Sequence, residues 1–191
     1  MTSVTVVRRT RTPPLMFGMV LFLASELMLF GSLFAAYFFL RAITPTWPPE
    51  GVDLEMISPS VATVILTASS FTLLFGLRGL ERGDLARYRT LVLWTFALGA
   101  AFLGIKGYEF SVAPFGIASH AYGSLWFTIL SFHALHLCVG MALLLVMLFR
   151  ATPPSSVARP TGHQTAQAIG YYWHFVDVVW LAIYTALFIV R

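Results

Sequence analysis

Charge is scarce in this 191-residue sequence, in which 10% of the residues are charged and 58% are hydrophobic. Soluble domains carry about 25% charged residues, so the composition excludes an ordinary water-soluble protein. The net charge of +4 would suit a nucleic-acid surface, but the basic residues lie in the links between long apolar runs. We therefore predict a membrane protein with no nucleic-acid partner.

Cysteine is nearly absent, because Cys138 is the only one in the sequence. A single cysteine excludes a disulfide framework within the chain. The sequence also lacks a nucleotide-binding glycine loop, a nucleophile elbow and the Glu-x-x-His pairs of di-iron sites. We predict no catalytic residue and no metal site in this chain.

Long apolar runs are abundant. A helix crosses the roughly 30 Å apolar core of a bilayer with about 20 residues. We place such runs near residues 15–42, 60–77, 90–108, 122–149 and 169–190. The predicted fold is all-α, a polytopic bundle of five transmembrane helices that forms one membrane domain over residues 1–191.

The basic residues predict the orientation of the spans. Nine of the twelve precede the first span or lie in the links after the second and fourth spans: Arg8, Arg9, Arg11, Arg78, Arg82, Arg87, Arg89, Arg150 and Arg159. The opposite side receives Arg41, Lys106 and Arg191 and the acidic loop residues Glu50, Asp53 and Glu55. The positive-inside rule then gives a cytoplasmic N-terminus and an outer C-terminus.

Glu26 lies inside the first predicted span, about eleven residues and roughly 17 Å from its start. An ionised carboxylate near the middle of a bilayer is costly unless it is paired. We predict that this acid is protonated or is paired with a group from another helix or a partner subunit. Both a functional role and a structural hydrogen bond fit the position.

Four further polar residues lie within the last two spans. His133 and His136 share one face of the fourth span, and His174 and Asp177 share one face of the fifth. We predict structural polar contacts, with Asp177 orienting His174. A haem held between His136 and His174 is an alternative, but counting from the helix ends places these two residues on the order of 10 Å apart in depth.

The third predicted span ends with Lys106 and Glu109, which lie one helical turn apart. We predict that both charges lie at the outer membrane interface. Glu109 is also a candidate partner for the polar groups of the fifth span.

Taken together, the motifs resemble subunit III of the haem–copper terminal oxidases, such as cytochrome c oxidase. They follow the family's order from residue 20 to residue 190: "SELMLFGSLFAAYF", "LERGDLARYR", "GYEF", "YGSLWFTILSFHALHLCVG" and "YYWHFVDVVW". The sequence departs from larger members, which have seven spans and often paired histidines before the charged hairpin.

The resemblance implies a non-catalytic subunit that packs against subunit I, contacts other subunits and lipids, and leaves haem and copper to its partners. It also implies support for proton uptake and for stability during turnover. Glu26 matches the family's carbodiimide-reactive acid, and Glu109, His133, His136, His174 and Asp177 match its motif positions. The alternatives are a related subunit of nitric oxide reductase, a haem b anchor, and an independent proton channel at Glu26.

Overall fold

The described part of the chain is built of helices joined by short links. The structure, a computed structural model, describes residues 14–49, 52, 55–150 and 160–190. The helices are α1 (Pro14–Ile43), α2 (Ile57–Glu81), α3 (Leu85–Val112), α4 (Ala121–Arg150) and α5 (Pro160–Tyr184), which continues into a π-helical turn (Thr185–Ile189). Five helices are long and apolar enough to cross a membrane, which confirms the predicted all-α fold of five spans.

The start of α5 differs most from the prediction. The helix begins at Pro160 rather than near residue 169, so His163 lies in its first turns and not in a link. The polar composition of residues 160–168 hides this extension from a search for apolar runs. Proline suits the first turn of a helix, because the N–H that it lacks would have no partner there.

A tight hairpin holds α2 and α3 side by side. Gly83 adopts a φ of 76°, a conformation that side chains with a Cβ rarely adopt. The next residue, Asp84, accepts a hydrogen bond from the backbone N–H of Arg87 at 3.0 Å and so caps the first turn of α3.

Helix α5 lies at the centre of the bundle, where it packs against α1, α2 and α4. Of its most apolar stretch, 56% is buried, compared with 6% for α1. Helix α1 therefore forms an edge of the bundle and is held by α5 and α4. Its outer apolar side chains are exposed, among them Phe17, Val20, Leu27 and Met28.

Trp173 joins three helices to α5. Its ring lies so close to α3 and α4 that a Cβ added at Gly99 would approach it to 2.8 Å and one at Gly140 to 3.1 Å. The indole Nε1–H donates a hydrogen bond to Ser69 Oγ of α2 at 3.1 Å. Glycine at both positions thus makes room for the ring, and small residues commonly allow such close approach in membranes.

This packing predicts opposite effects for two glycines of α3. Gly99→Ala should lower stability by about 1–3 kcal/mol, because the new methyl group overlaps the Trp173 ring. Gly104→Ala should be neutral or stabilising, because no atom lies within 4 Å of the added Cβ and alanine favours helix. Thermal unfolding of the purified oxidase measures both effects, and equal effects at the two positions would contradict the packing role.

Candidate functional site

Polar side chains join α2 to α5 at successive levels of the bundle. The contacts are Ser60 with Tyr184 at 2.7 Å, Trp180 Nε1 to Thr63 Oγ1 at 3.0 Å, Ser70 Oγ to Asp177 Oδ2 at 2.7 Å, and Trp173 Nε1 to Ser69 Oγ at 3.1 Å. The contacts at residues 60 and 63 of α2 reach residues 184 and 180 of α5, and those at residues 69 and 70 reach residues 173 and 177, so the helices run antiparallel. Hydrogen bonds of this kind set the register of helices whose apolar surfaces alone discriminate poorly in lipid.

Asp177 is 7% exposed and faces α2, where it accepts the hydrogen bond from Ser70. Its other carboxyl oxygen, Oδ1, has no hydrogen-bond partner in the described part of the chain. Asp177 was expected to orient His174, but among the described residues no hydrogen bond joins His174 to this carboxyl group. Residues three apart on a helix differ by about 60° around the axis, which separates the directions of the two side chains. His174 instead lines cavities at the flank of α5.

His133 connects α4 to α5. It is 1% exposed, and its Nε2–H donates a hydrogen bond to the backbone oxygen of Val176 at 3.2 Å. The ring also packs against Phe102 and Trp180, with centroids 5.7 and 5.1 Å away. This environment suits an interhelical structural contact.

His136 connects α4 to α1 through Glu26. Its Nε2 lies 2.7 Å from Glu26 Oε2, and its Nδ1 lies 2.7 Å from the backbone oxygen of Phe132. The side chains of Glu26 and His136 are 17% and 12% exposed. Tyr172 of α5 donates to the backbone oxygen of His136 at 2.9 Å, so three helices meet at this level.

The hydrogen bonds of His136 determine how many protons the pair holds. A carbonyl oxygen can only accept, so Nδ1 carries a hydrogen and donates it to Phe132. The short contact between Nε2 and Glu26 then contains one further proton, either on the carboxyl group or on the imidazole ring. In both cases Glu26 and His136 share one proton, and neither partner is left unpaired.

Lys106 and Glu109 form a buried ion pair. Lys106 Nζ lies 2.7 Å from Glu109 Oε2, and the two side chains are 4% and 11% exposed. Ser58 Oγ of α2 donates to the other carboxyl oxygen at 2.6 Å. The ammonium group also lies 4.4 Å from the centre of the Trp180 ring, within range of a cation–π interaction.

The sequence predicts the level of these charges near the outer membrane interface, but it does not predict their burial within the bundle. Lys106 lies about 9 Å along the helix from Val112, where α3 ends. Its side chain turns inward onto the Trp180 ring. Phe102, one turn earlier on α3, lies 5.6 Å from the same ammonium group and is a sequence signal for this arrangement.

Comparisons with known proteins agree with the motifs. Residues 6–190 match the family model described as cytochrome c oxidase subunit III. The chain is 36% identical over 174 residues to cytochrome c oxidase subunit 3 of Thermostichus vulcanus. The aligned residues make up 90% of this chain and 85% of that protein. It is 37% identical over 180 residues to the probable cytochrome c oxidase subunit 3 of Nocardia farcinica, with 91% and 87% covered.

The chain belongs to the cytochrome c oxidase subunit III family. It is a subunit III of a haem–copper terminal oxidase, and the oxidoreductase activity is that of the multi-subunit complex. The predicted family and its place in the respiratory chain are confirmed. Five spanning helices make this subunit III a membrane protein.

The haem alternative has no support in the geometry of this subunit III. Both ring nitrogens of His136 are engaged, one by Phe132 and one by Glu26, so neither is free to bind iron. Among the described residues, no group of three or more His, Cys, Asp or Glu side chains is placed to hold a metal ion. The compared relatives are named for cytochrome c oxidase, and no observation favours nitric oxide reductase.

Proposed function

We propose that this subunit III packs on the catalytic subunit I and supports proton uptake and stability during turnover. The observation that carries the proposal is the Glu26–His136 pair with its single shared proton. Such a pair can take up a second proton or release the one it holds. The pair joins α1 to α4 at the edge of the bundle, where another subunit or lipid has access.

We further propose that haem and copper are bound in the partner subunits and that this chain has no catalytic residue. The described polar groups within the helices are engaged mainly with one another, as structural contacts between helices. The exposed apolar surface of α1 favours contact with subunit I and with membrane lipids, since it has no neighbour on its outer side within the bundle.

Removal of this subunit tests the proposal. An oxidase prepared without it should retain its haem absorption bands, because those centres belong to the partners. Its activity should decline faster during sustained turnover than that of the complete complex. Loss of the haem bands in proportion to this chain, or an unchanged rate of inactivation, would contradict the proposal.

The proposed orientation places the N-terminus in the cytoplasm and the C-terminus outside the cell membrane. It rests on the distribution of basic residues. Some of the charged residues concerned lie outside the described residues: Arg8, Arg9, Arg11, Glu50, Asp53, Arg159 and Arg191.

Reporter fusions test this orientation. A fusion in the link between α2 and α3, at Gly83, should be active only with a cytoplasmic reporter, and one at the C-terminus only with an external reporter. The same response at both sites would mean that the number of membrane crossings is wrong, and a reversed response would mean that the orientation is wrong.

A further inference from the structure

A groove runs along the surface of the bundle between α1 and α5, in two lobes. One lobe, of about 380 Å³, lies between residues 19–23 of α1 and residues 171–178 of α5. The other, of about 530 Å³, lies between residues 34–38 of α1 and residues 181–190 at the end of the chain. The residues that α5 contributes recur every three or four positions, so they form one face of the helix. We call this surface the α1–α5 groove.

The length of the α1–α5 groove matches the thickness of a membrane. Its lining extends from Tyr171 to Val190 on one wall and from Met19 to Phe38 on the other, which in each case is about 29 Å of helix. The apolar core of a bilayer is about 30 Å thick. The groove therefore fits an occupant that crosses the whole apolar layer.

His174 lies in this groove, far from both ends of its helix. The imidazole ring is partly exposed, and Pro160 and Ile189, the ends of the helical stretch, are each about 20 Å away along the axis. The ring forms no hydrogen bond with any other residue that the structure describes. A polar side chain at this depth is costly in a membrane unless it finds a partner. His174 thus needs a partner from outside the described chain.

The chemistry of His174 distinguishes between the possible occupants. The rest of the groove is mostly apolar, with exposed side chains such as Val20, Val178 and Leu181. Apolar surface alone does not select a protein helix, because lipid tails are equally apolar. An acyl chain, however, has no hydrogen-bonding atom to offer to an imidazole ring. A protein helix can supply both an apolar surface and a polar side chain at one level.

We propose that the α1–α5 groove binds a membrane-spanning helix of another oxidase subunit, and that this helix presents a hydroxyl, amide or carboxyl side chain to His174. The small side chain of exposed Ala182 lets the helix approach α5 closely. The inference goes beyond the proposed contact with subunit I. It assigns the contact surface, and it holds for whichever oxidase subunit supplies the helix.

Photo-crosslinking in the intact oxidase tests which molecule occupies the groove. The photoreactive amino acid p-benzoylphenylalanine replaces Ala182, and the matched control places it at Ala101, an exposed alanine of α3. We expect the label at Ala182 to join a spanning segment of a partner subunit that has a hydrogen-bonding residue near its middle. The same peptide should be recovered at least about tenfold less from Ala101. Labelling of lipid alone at Ala182, or equal recovery from both positions, would overturn the proposal.

Substitutions of His174 test the polar contact. His174→Leu should weaken the retention of subunit III by the partner in a detergent titration about three- to tenfold, the effect of one hydrogen bond. His174→Gln should restore most of the retention, because an amide can still donate and accept. His163→Leu is the matched histidine control, since His163 lies in the first turns of α5 outside both lobes, and it should have no effect.

Unchanged retention in His174→Leu would overturn the proposal, because water in the neighbouring cavity beside Arg78 and Gln167 would then satisfy the ring. Equal losses in the Leu and Gln variants would overturn it as well, since the ring would then act through its shape. Neither result bears on the proposed support of turnover, which is tested by removal of the whole subunit.

Discussion

Lys106→Met is expected to lower the free energy of unfolding by about 3–5 kcal/mol. The substitution removes the positive partner of Glu109 and leaves a buried carboxylate whose one remaining hydrogen bond among the described residues comes from Ser58. It also removes the cation that lies over the Trp180 ring. Thermal dissociation of subunit III from the purified oxidase, followed by gel electrophoresis, measures the loss.

Two variants test whether the pairing itself causes this loss. In Lys106→Met combined with Glu109→Leu, most of the stability should return, because replacing both members of a buried ion pair by apolar groups is often neutral. Arg78→Met should change stability by less than about 0.5 kcal/mol, because Arg78 is exposed. A double variant as unstable as the single one would show that Lys106 acts through packing alone.

The second large effect concerns Glu26 and a membrane-permeant carbodiimide, which reacts with a protonated carboxyl group in an apolar setting. Glu26 should be labelled ahead of the exposed acids Glu55, Glu81 and Asp84. Because it shares its proton with His136, His136→Leu should raise the labelling rate about two- to tenfold, as the proton then stays on the carboxyl group. Peptide mapping of the labelled complex measures the rate at each acid.

Glu26→Gln should abolish the labelling and preserve assembly, because an amide keeps the size and can donate to His136. His133→Leu is the matched histidine control, since His133 bonds to Val176 and not to an acid, and it should leave the rate unchanged. If the exposed acids react and Glu26 stays unlabelled even without His136, then protein seals this carboxyl group. Its proposed proton-linked role would then fail.

The positions of the first four helices could be predicted because apolar runs of sufficient length are a local property of the chain. The start of α5 could not, because residues 160–168 are polar and are helical within the folded chain. The motifs identified the family, and they contain the polar residues that lie within the spans. The hydrogen-bond partners of these residues could not be identified from the motifs.

Partners depend on how each helix is rotated about its axis. Glu26 and His136 are 110 residues apart, and no pattern within α1 or α4 states that the two side chains meet. Asp177 was expected to orient His174, a neighbour on its own helix, but in the structure it bonds to Ser70 of α2. Sequence spacing shows which residues share one face of a helix. A hydrogen bond between two helices also depends on how each helix is rotated about its axis and on the level of each residue in the bundle.

By itself the sequence determined that the chain is an all-α membrane protein with five spans and that its motifs are those of subunit III. Both properties follow from local hydrophobicity and from short stretches of residues. Only the tertiary structure decided that Lys106 is buried, that Glu26 and His136 form a hydrogen bond, and that a groove lies between α1 and α5. These features arise where side chains from different helices meet, because buried polar groups must find partners within the bundle.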